Sequence, residues 1–124
     1  MRSAKTAKAE IRLLTPDIVY MRIFDEAHLE LGDVKELNRL KRELVGNNAH
    51  SVLLVSGKYT TIAKEAREFS SGKEVGENRK AKAIVVSSLA QSLIANFFIK
   101  FHRTGSKVRA FDNEAAALAW LQRQ

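Results

Sequence analysis

The first regular pattern of apolar and polar positions begins after a basic opening stretch. From Glu10 to Leu14 the two kinds of residue alternate, with Ile11 and Leu13 on one face, which predicts a short half-buried strand. Thr15-Pro16-Asp17 is turn chemistry, and Ile18 to Phe24 is rich in β-branched and aromatic residues that suit a second strand. A turn this short predicts an antiparallel hairpin. Val34, Leu37, Leu40 and Leu44 then recur at steps of three and four, which predicts a helix from Leu31 to Val45, stopped by Gly46-Asn47-Asn48.

Two continuous apolar runs follow, Val52-Leu53-Leu54-Val55 and Ala83-Ile84-Val85-Val86, each the mark of a strand covered on both faces. Between them, after a loop from Ser56 to Tyr59, Thr60 or Thr61 is expected to cap a helix whose inner face is Ile62, Ala66 and Phe69. Ser70 to Lys82 has two glycines and many charges and predicts a loop with room for one helical turn. Ser88, with Gln91 three residues on, forms a capping box for a helix that runs to about His102 and closes near Gly105. Lys107 to Phe111 predicts the last strand. Asp112 or Asn113 then caps a final helix, in which Trp120 is expected to close the core around Val108 or Ala110.

The predicted order is β-β-α-β-α-β-α-β-α, an α/β domain. Strands alternating with helices imply a mainly parallel five-stranded sheet, with the first strand as one antiparallel edge strand. Length allows one domain, residues 9–124, and Met1 to Lys8 reads as a flexible basic tail.

Composition narrows the chemistry. There is no cysteine, which excludes disulfides, thiol catalysis and thiolate metal sites and suits a cytoplasmic location. No apolar run reaches the roughly 20 residues that span a bilayer. The net charge is +7, but Arg2, Lys5 and Lys8 lie in the tail with no acid beside them, leaving +4 for the rest by subtraction. That weakens a nucleic-acid reading, and the densest basic run, Arg79-Lys80 with Lys82, reads as a solvated loop with no interleaved aromatics to stack on bases.

His28, His50 and His102 are far apart in sequence and match no carboxylate spacing, so no metal site is expected. No Ser-His-Asp set can be assigned. Ser56-Gly57-Lys58 is too sparse for a phosphate loop, so neither catalytic residues nor a cofactor is expected. In the helix from Leu89 to His102, Leu89, Leu93, Phe97, Phe101, Ile94 and Phe98 fill about half of the cylinder at 100° per residue. Ile99 lies outside that arc, beside Ala95 and His102, about 280° from Leu89. A helix laid on a sheet needs a narrower stripe, so Phe98, Ile99, Ala95 and His102 are the candidate partner or dimer surface.

Three stretches carry a family likeness. They are Val52-Leu53-Leu54-Val55 leading to Thr60-Thr61-Ile62 and Ala66-Arg67; Ala83-Ile84-Val85-Val86-Ser87-Ser88 leading to Ala95-Asn96-Phe97-Phe98; and Val108-Arg109-Ala110-Phe111 with Glu114 and Ala117-Leu118-Ala119-Trp120-Leu121. Over residues 9–121 the chain resembles the SpoIIAA-like superfamily, which includes the STAS domains of anti-sigma-factor antagonists, and in particular small uncharacterised bacterial STAS/SEC14-like proteins. The resemblance implies a SpoIIAA-like (STAS-like) fold and a non-enzymatic protein-interaction module. STAS antagonists present a phosphorylatable serine in an Asp-Ser-Ser-Gly turn. This chain has Tyr59-Thr60-Thr61-Ile62 there, so Thr60 and Thr61 are the candidate phospho or partner-switch positions, without the motif's aspartate and glycine.

Three functions follow as expectations. The first is a regulatory interaction module with a protein partner, or pairing as a homodimer. The second, from the SEC14 side of the resemblance, is a carrier of a small apolar or lipid ligand, with Phe97, Phe98 and Phe101 lining a cavity. The third and weakest is binding of an anionic polymer by basic surface. An exposed apolar helix flank favours the first, an apolar cavity the second and a contiguous basic groove the third.

Overall fold

A computed structural model describes residues 2–101 and 106–124, except for the side chains of Phe98 and Phe101. The chain runs β1 (Ser3–Lys5), β2 (Ala9–Thr15), β3 (Ile18–Ile23), β4 (His28–Leu29), α1 (Leu31–Val45), β5 (His50–Ser56) and β6 (Thr61–Ile62). It continues through α2 (Lys64–Ser70), α3 (Lys73–Gly76), β7 (Arg79–Val85), α4 (Leu89–Phe101), β8 (Lys107–Phe111) and α5 (Glu114–Gln122). The main sheet has the order β1-β2-β3-β5-β7-β8, and β4 pairs with β6 in a small parallel sheet beside it. β3, β5, β7 and β8 are mutually parallel, while β2 joins β3, and β1 joins β2, antiparallel.

The hairpin and the parallel core are as the sequence predicts, but the sheet is one strand wider. The stretch expected to be a flexible tail carries β1, which registers Ser3, Ala4 and Lys5 against Arg12, Ile11 and Glu10. Thr6 makes the reversal: its Oγ1 accepts from the N–H groups of Lys8 and Ala9. Lys8 is not a tail charge either, since its Nζ donates to Asp33 Oδ2 at 2.7 Å and to the carbonyl of His28 at 2.8 Å. Glu10–Leu14 therefore lies inside the antiparallel side of the sheet rather than at its margin.

Two layers of helix bury the sheet. On one face α1 lays Val34, Leu37 and Leu40 over Ile11, Val19, Met21, Ile23 and Val52. Its start is fixed by Asp33 Oδ2, which accepts from Glu30 N–H at 2.8 Å, and its end by Gly46 at φ +59°, whose N–H donates to Arg42 O. On the other face α5 packs Ala117 and Leu121 onto Tyr20, Leu53, Ala81, Ala83 and Val85. Asn113 caps α5 by accepting from Ala116 N–H at 2.8 Å. Trp120 meets the last strand at Phe111, with centroids 5.6 Å apart, rather than at Val108 or Ala110, and stays half-buried.

Candidate functional site

The site begins with an irregularity in β7. Arg79 pairs with His50 but Ala81 pairs with Ser51, so Lys80 is an extra residue. Beyond this bulge Ala81, Ala83 and Val85 face α5, and Lys82 and Ile84 face the opposite side. The basic run expected to be a solvated loop is therefore strand, and its three cations separate. Arg79 is buried and its Nε donates to Ser106 Oγ at 3.0 Å. Lys80 reaches out to Asp17 at 3.0 Å. Lys82 stands in the central sheet between Val52 and Val108. The run makes no contiguous basic surface.

Lys82 forms part of the floor of a groove of about 310 Å³ between α2 and α4. Leu54, Ile84 and Val86 complete the floor, Arg67 and Ser70 stand on the α2 side, and Gln91, Ile94 and Ala95 stand on the α4 side. Among the described residues the lining includes two cations, Arg67 and Lys82, and no carboxylate. Lys82 also borders a smaller cavity of about 70 Å³ under α1, shared with Lys41 and Arg79. The Lys41 ammonium donates to Val75 O at 2.6 Å. The Lys82 ammonium makes no hydrogen bond or ion pair among the described residues.

Burial and mutual repulsion depress these bases. Lys82 falls to about 7, first through desolvation and then through the charges of Arg79 and Lys41. Lys41 falls to about 8 by desolvation, then by Arg79 and Arg42 against a smaller opposing effect of Glu77. Arg79 falls to about 10 by desolvation. His50, buried with Nδ1 3.0 Å from Asn48 O, is held below the ordinary histidine value mainly by burial.

Thr60 and Thr61 precede α2, but neither caps it. Ala63 is the N-cap residue, and no side chain bonds there. The reason is that Thr61 and Ile62 are already paired in β6. Thr61 Oγ1 lies 2.7 Å from His28 Nδ1, and Thr60 Oγ1 accepts from Gln91 Nε2 at 3.0 Å. Ile62 is likewise strand rather than the inner face of α2. Gly57 is required by packing rather than by phosphate, because a Cβ there would lie 2.6 Å from Ile23 O and 2.7 Å from Asp25 N. Its carbonyl accepts from Gln91 Nε2 at 3.0 Å.

Gln91 also accepts from Ser87 N–H at 2.9 Å, while Ser88 Oγ takes the Gln91 N–H at 3.1 Å. These bonds set the roll of α4. They turn Gln91, Ser92, Ala95 and Ile99 toward the body of the protein and leave Leu89, Leu93, Ile94 and Phe97 exposed. The expected surface is thus reversed for Ala95 and Ile99, which are half-buried. The Phe98 side chain and His102 lie outside the described residues. No group of three or more metal-ligating side chains occurs among the described residues, and His28 and His50 belong to separate environments.

Sequence reasoning missed Lys82 and the outward stripe. The alternation Lys80-Ala81-Lys82-Ala83-Ile84 could have revealed the first, since small apolar residues at every second position extend the strand pattern back through the charges.

A family model described as a domain of unknown function, DUF7793, matches residues 13–124. No curated protein matches the chain by sequence. Among solved structures, the crystal structure of an uncharacterized protein from the DUF3478 family with a SpoIIAA-like fold, from Shewanella loihica PV-4, is similar with a TM-score of 0.63 and 19% identity. That likeness covers 97% of this chain and 94% of the other, and it shows a SpoIIAA-like α/β fold.

Proposed function

This chain belongs to the DUF7793 family, and for it we propose a non-enzymatic interaction module whose working surface is the outward face of α4, paired with the same face of a second copy. One observation carries the reading. Leu89, Leu93, Ile94 and Phe97 are 76%, 64%, 48% and 56% exposed on one side of a single helix. Full burial of such a side chain is worth about 1.5–3 kcal/mol, so a contact covering most of the four would recover a useful fraction of that. The i, i+4, i+8 spacing of Leu89, Leu93 and Phe97 gives a straight ridge, and Lys100 is the only charge on the helix. A nearly neutral apolar ridge is compatible with its own two-fold copy.

Sedimentation velocity across the micromolar range tests this with wild type and the double variant Leu93→Asp/Phe97→Asp. The expected result is a wild-type dimer and a folded monomeric variant. A wild type that stays monomeric, or a folded variant that keeps the dimer mass, overturns the reading. A second reading, carriage of a small ligand, is favoured by the floor of the α2–α4 groove, which is apolar except for Lys82.

A further inference from the structure

The groove resting on Leu54, Lys82, Ile84 and Val86 has a chemistry that names its ligand class, and this inference rests on the small-ligand reading and shares only Ile94 with the α4 pairing face. We infer that the groove binds an apolar monocarboxylate, its chain along Leu54, Ile84, Val86 and Ile94 and its carboxylate on the Lys82 ammonium.

The first argument is charge complementarity. The described lining holds cations and hydroxyls but no acid, so nothing in the groove neutralises Lys82. An amine on a central strand between Val52 and Val108, without a hydrogen bond among the described residues, is an anion partner waiting for an acceptor. The second is stoichiometry. Lys41 is engaged by Val75 O and Arg79 by Ser106, and both border the smaller cavity rather than the groove. Arg67 stands on the α2 wall, so the floor offers one ammonium, which suits a single negative charge better than a phosphate dianion, which wants several donors. The third is shape. About 310 Å³ over a floor that is apolar except for Lys82 lies at the lower end of small-molecule sites, enough for a medium-length aliphatic chain.

The pH behaviour follows from the groups around Lys82: Arg67 from α2, Lys41 from α1 and Arg79 from β7 are all cations, and Glu77 opposes them only at Lys41. With the free ammonium titrating at about 7, a carboxylate binds with proton uptake above that pH, and its affinity falls by up to about tenfold per pH unit.

Titration calorimetry with decanoate and decanol, below the micellar range, tests the assignment. Wild type should bind decanoate, weakening from about pH 7 to pH 9. Lys82→Met should lose about tenfold or more for decanoate, keep its affinity for decanol, and lose the pH dependence. Lys80→Met, at the outward cation paired with Asp17, should match wild type, and so should Leu93→Asp/Phe97→Asp, which separates this site from the α4 contact. Equal decanoate binding by wild type and Lys82→Met, decanoate binding no tighter than decanol, or no binding at all overturns the inference. Amide chemical-shift mapping on wild type gives a check that needs no variant: decanoate should move Leu54, Ile84 and Ile94, and perturbation elsewhere alone sinks the assignment.

Discussion

Helices α1 and α4 are of similar length, and each has an apolar stripe at helical spacing, yet they are used in opposite ways. α1 presses Val34, Leu37 and Leu40 into the sheet and, Lys41 apart, turns its charges outward. α4 turns Gln91, Ser92, Ala95 and Ile99 inward and leaves Leu89, Leu93, Ile94 and Phe97 in water. The hydrophobic period reports that a helix has an apolar side but does not say what covers it. At α1 three apolar strands lie beneath. At α4 the element beneath is β8, a five-residue edge strand without a fully buried residue, and the Gln91 amide bonds outbid its weak apolar pull.

The largest effect that tests this contrast is a matched pair of truncations. Leu37→Ala should destabilise the fold by about 2–5 kcal/mol, as buried leucine truncations do when a cavity remains. Leu93→Ala, measured by urea unfolding at a dilution where the chain is monomeric, should change stability by no more than about 0.5 kcal/mol. Comparable losses at both positions would mean that Leu93 is core and that the outward orientation of α4 is wrong.

The same contrast explains what could be read from the sequence. The hairpin, α1 to its terminal residues, the two apolar strands and the Asn113 cap were legible because local pattern and burial agree there. β1 was not, since three residues with one small apolar side chain carry almost no periodicity, and their pairing is dictated by β2. The start of β7 was hidden because charges are read as loop, whereas a bulge lets Arg79, Lys80 and Lys82 take three different environments. Thr60 and Thr61 have cap-forming side chains, but the β4–β6 pairing claims Thr61 and Ile62 before α2 begins. The groove was illegible because it is assembled from elements far apart in sequence: β5, β7, α2 and α4.

If Gln91 sets the roll of α4, removing its amide should loosen that helix specifically. Gln91→Ala deletes bonds to Ser87, Gly57 and Thr60 and should cost about 1–3 kcal/mol at the usual net value of an intramolecular hydrogen bond. Hydrogen exchange should quicken in α4 while α1 amides keep their relative protection. Uniform quickening in both helices would show that Gln91 supports the fold globally and that the roll of α4 has another cause.

The smallest expected effect concerns the floor shared by the two helices' layer. Lys82 is pushed down from the ordinary 10.5 to about 7 and Lys41 to about 8, so between those values and 10.5 the unfolded chain holds protons that the folded one has released. Stability therefore rises as pH climbs from about 7 toward 10, and the cost of a charged Lys82 is greatest at and below about pH 7. Replacing it by an apolar side chain of similar length removes that cost. Lys82→Met should thus be more stable than wild type at about pH 7, by about 0.5–2 kcal/mol, the scale of gains seen when a functional compromise is relieved. The gain should shrink by about pH 9.5, where the wild-type lysine is largely neutral. Urea midpoints at the two pH values measure both points. A variant less stable than wild type at pH 7, or a gain that does not change with pH, would show that the Lys82 ammonium is well solvated or already paired, and the groove would then lose its claim to an anionic ligand.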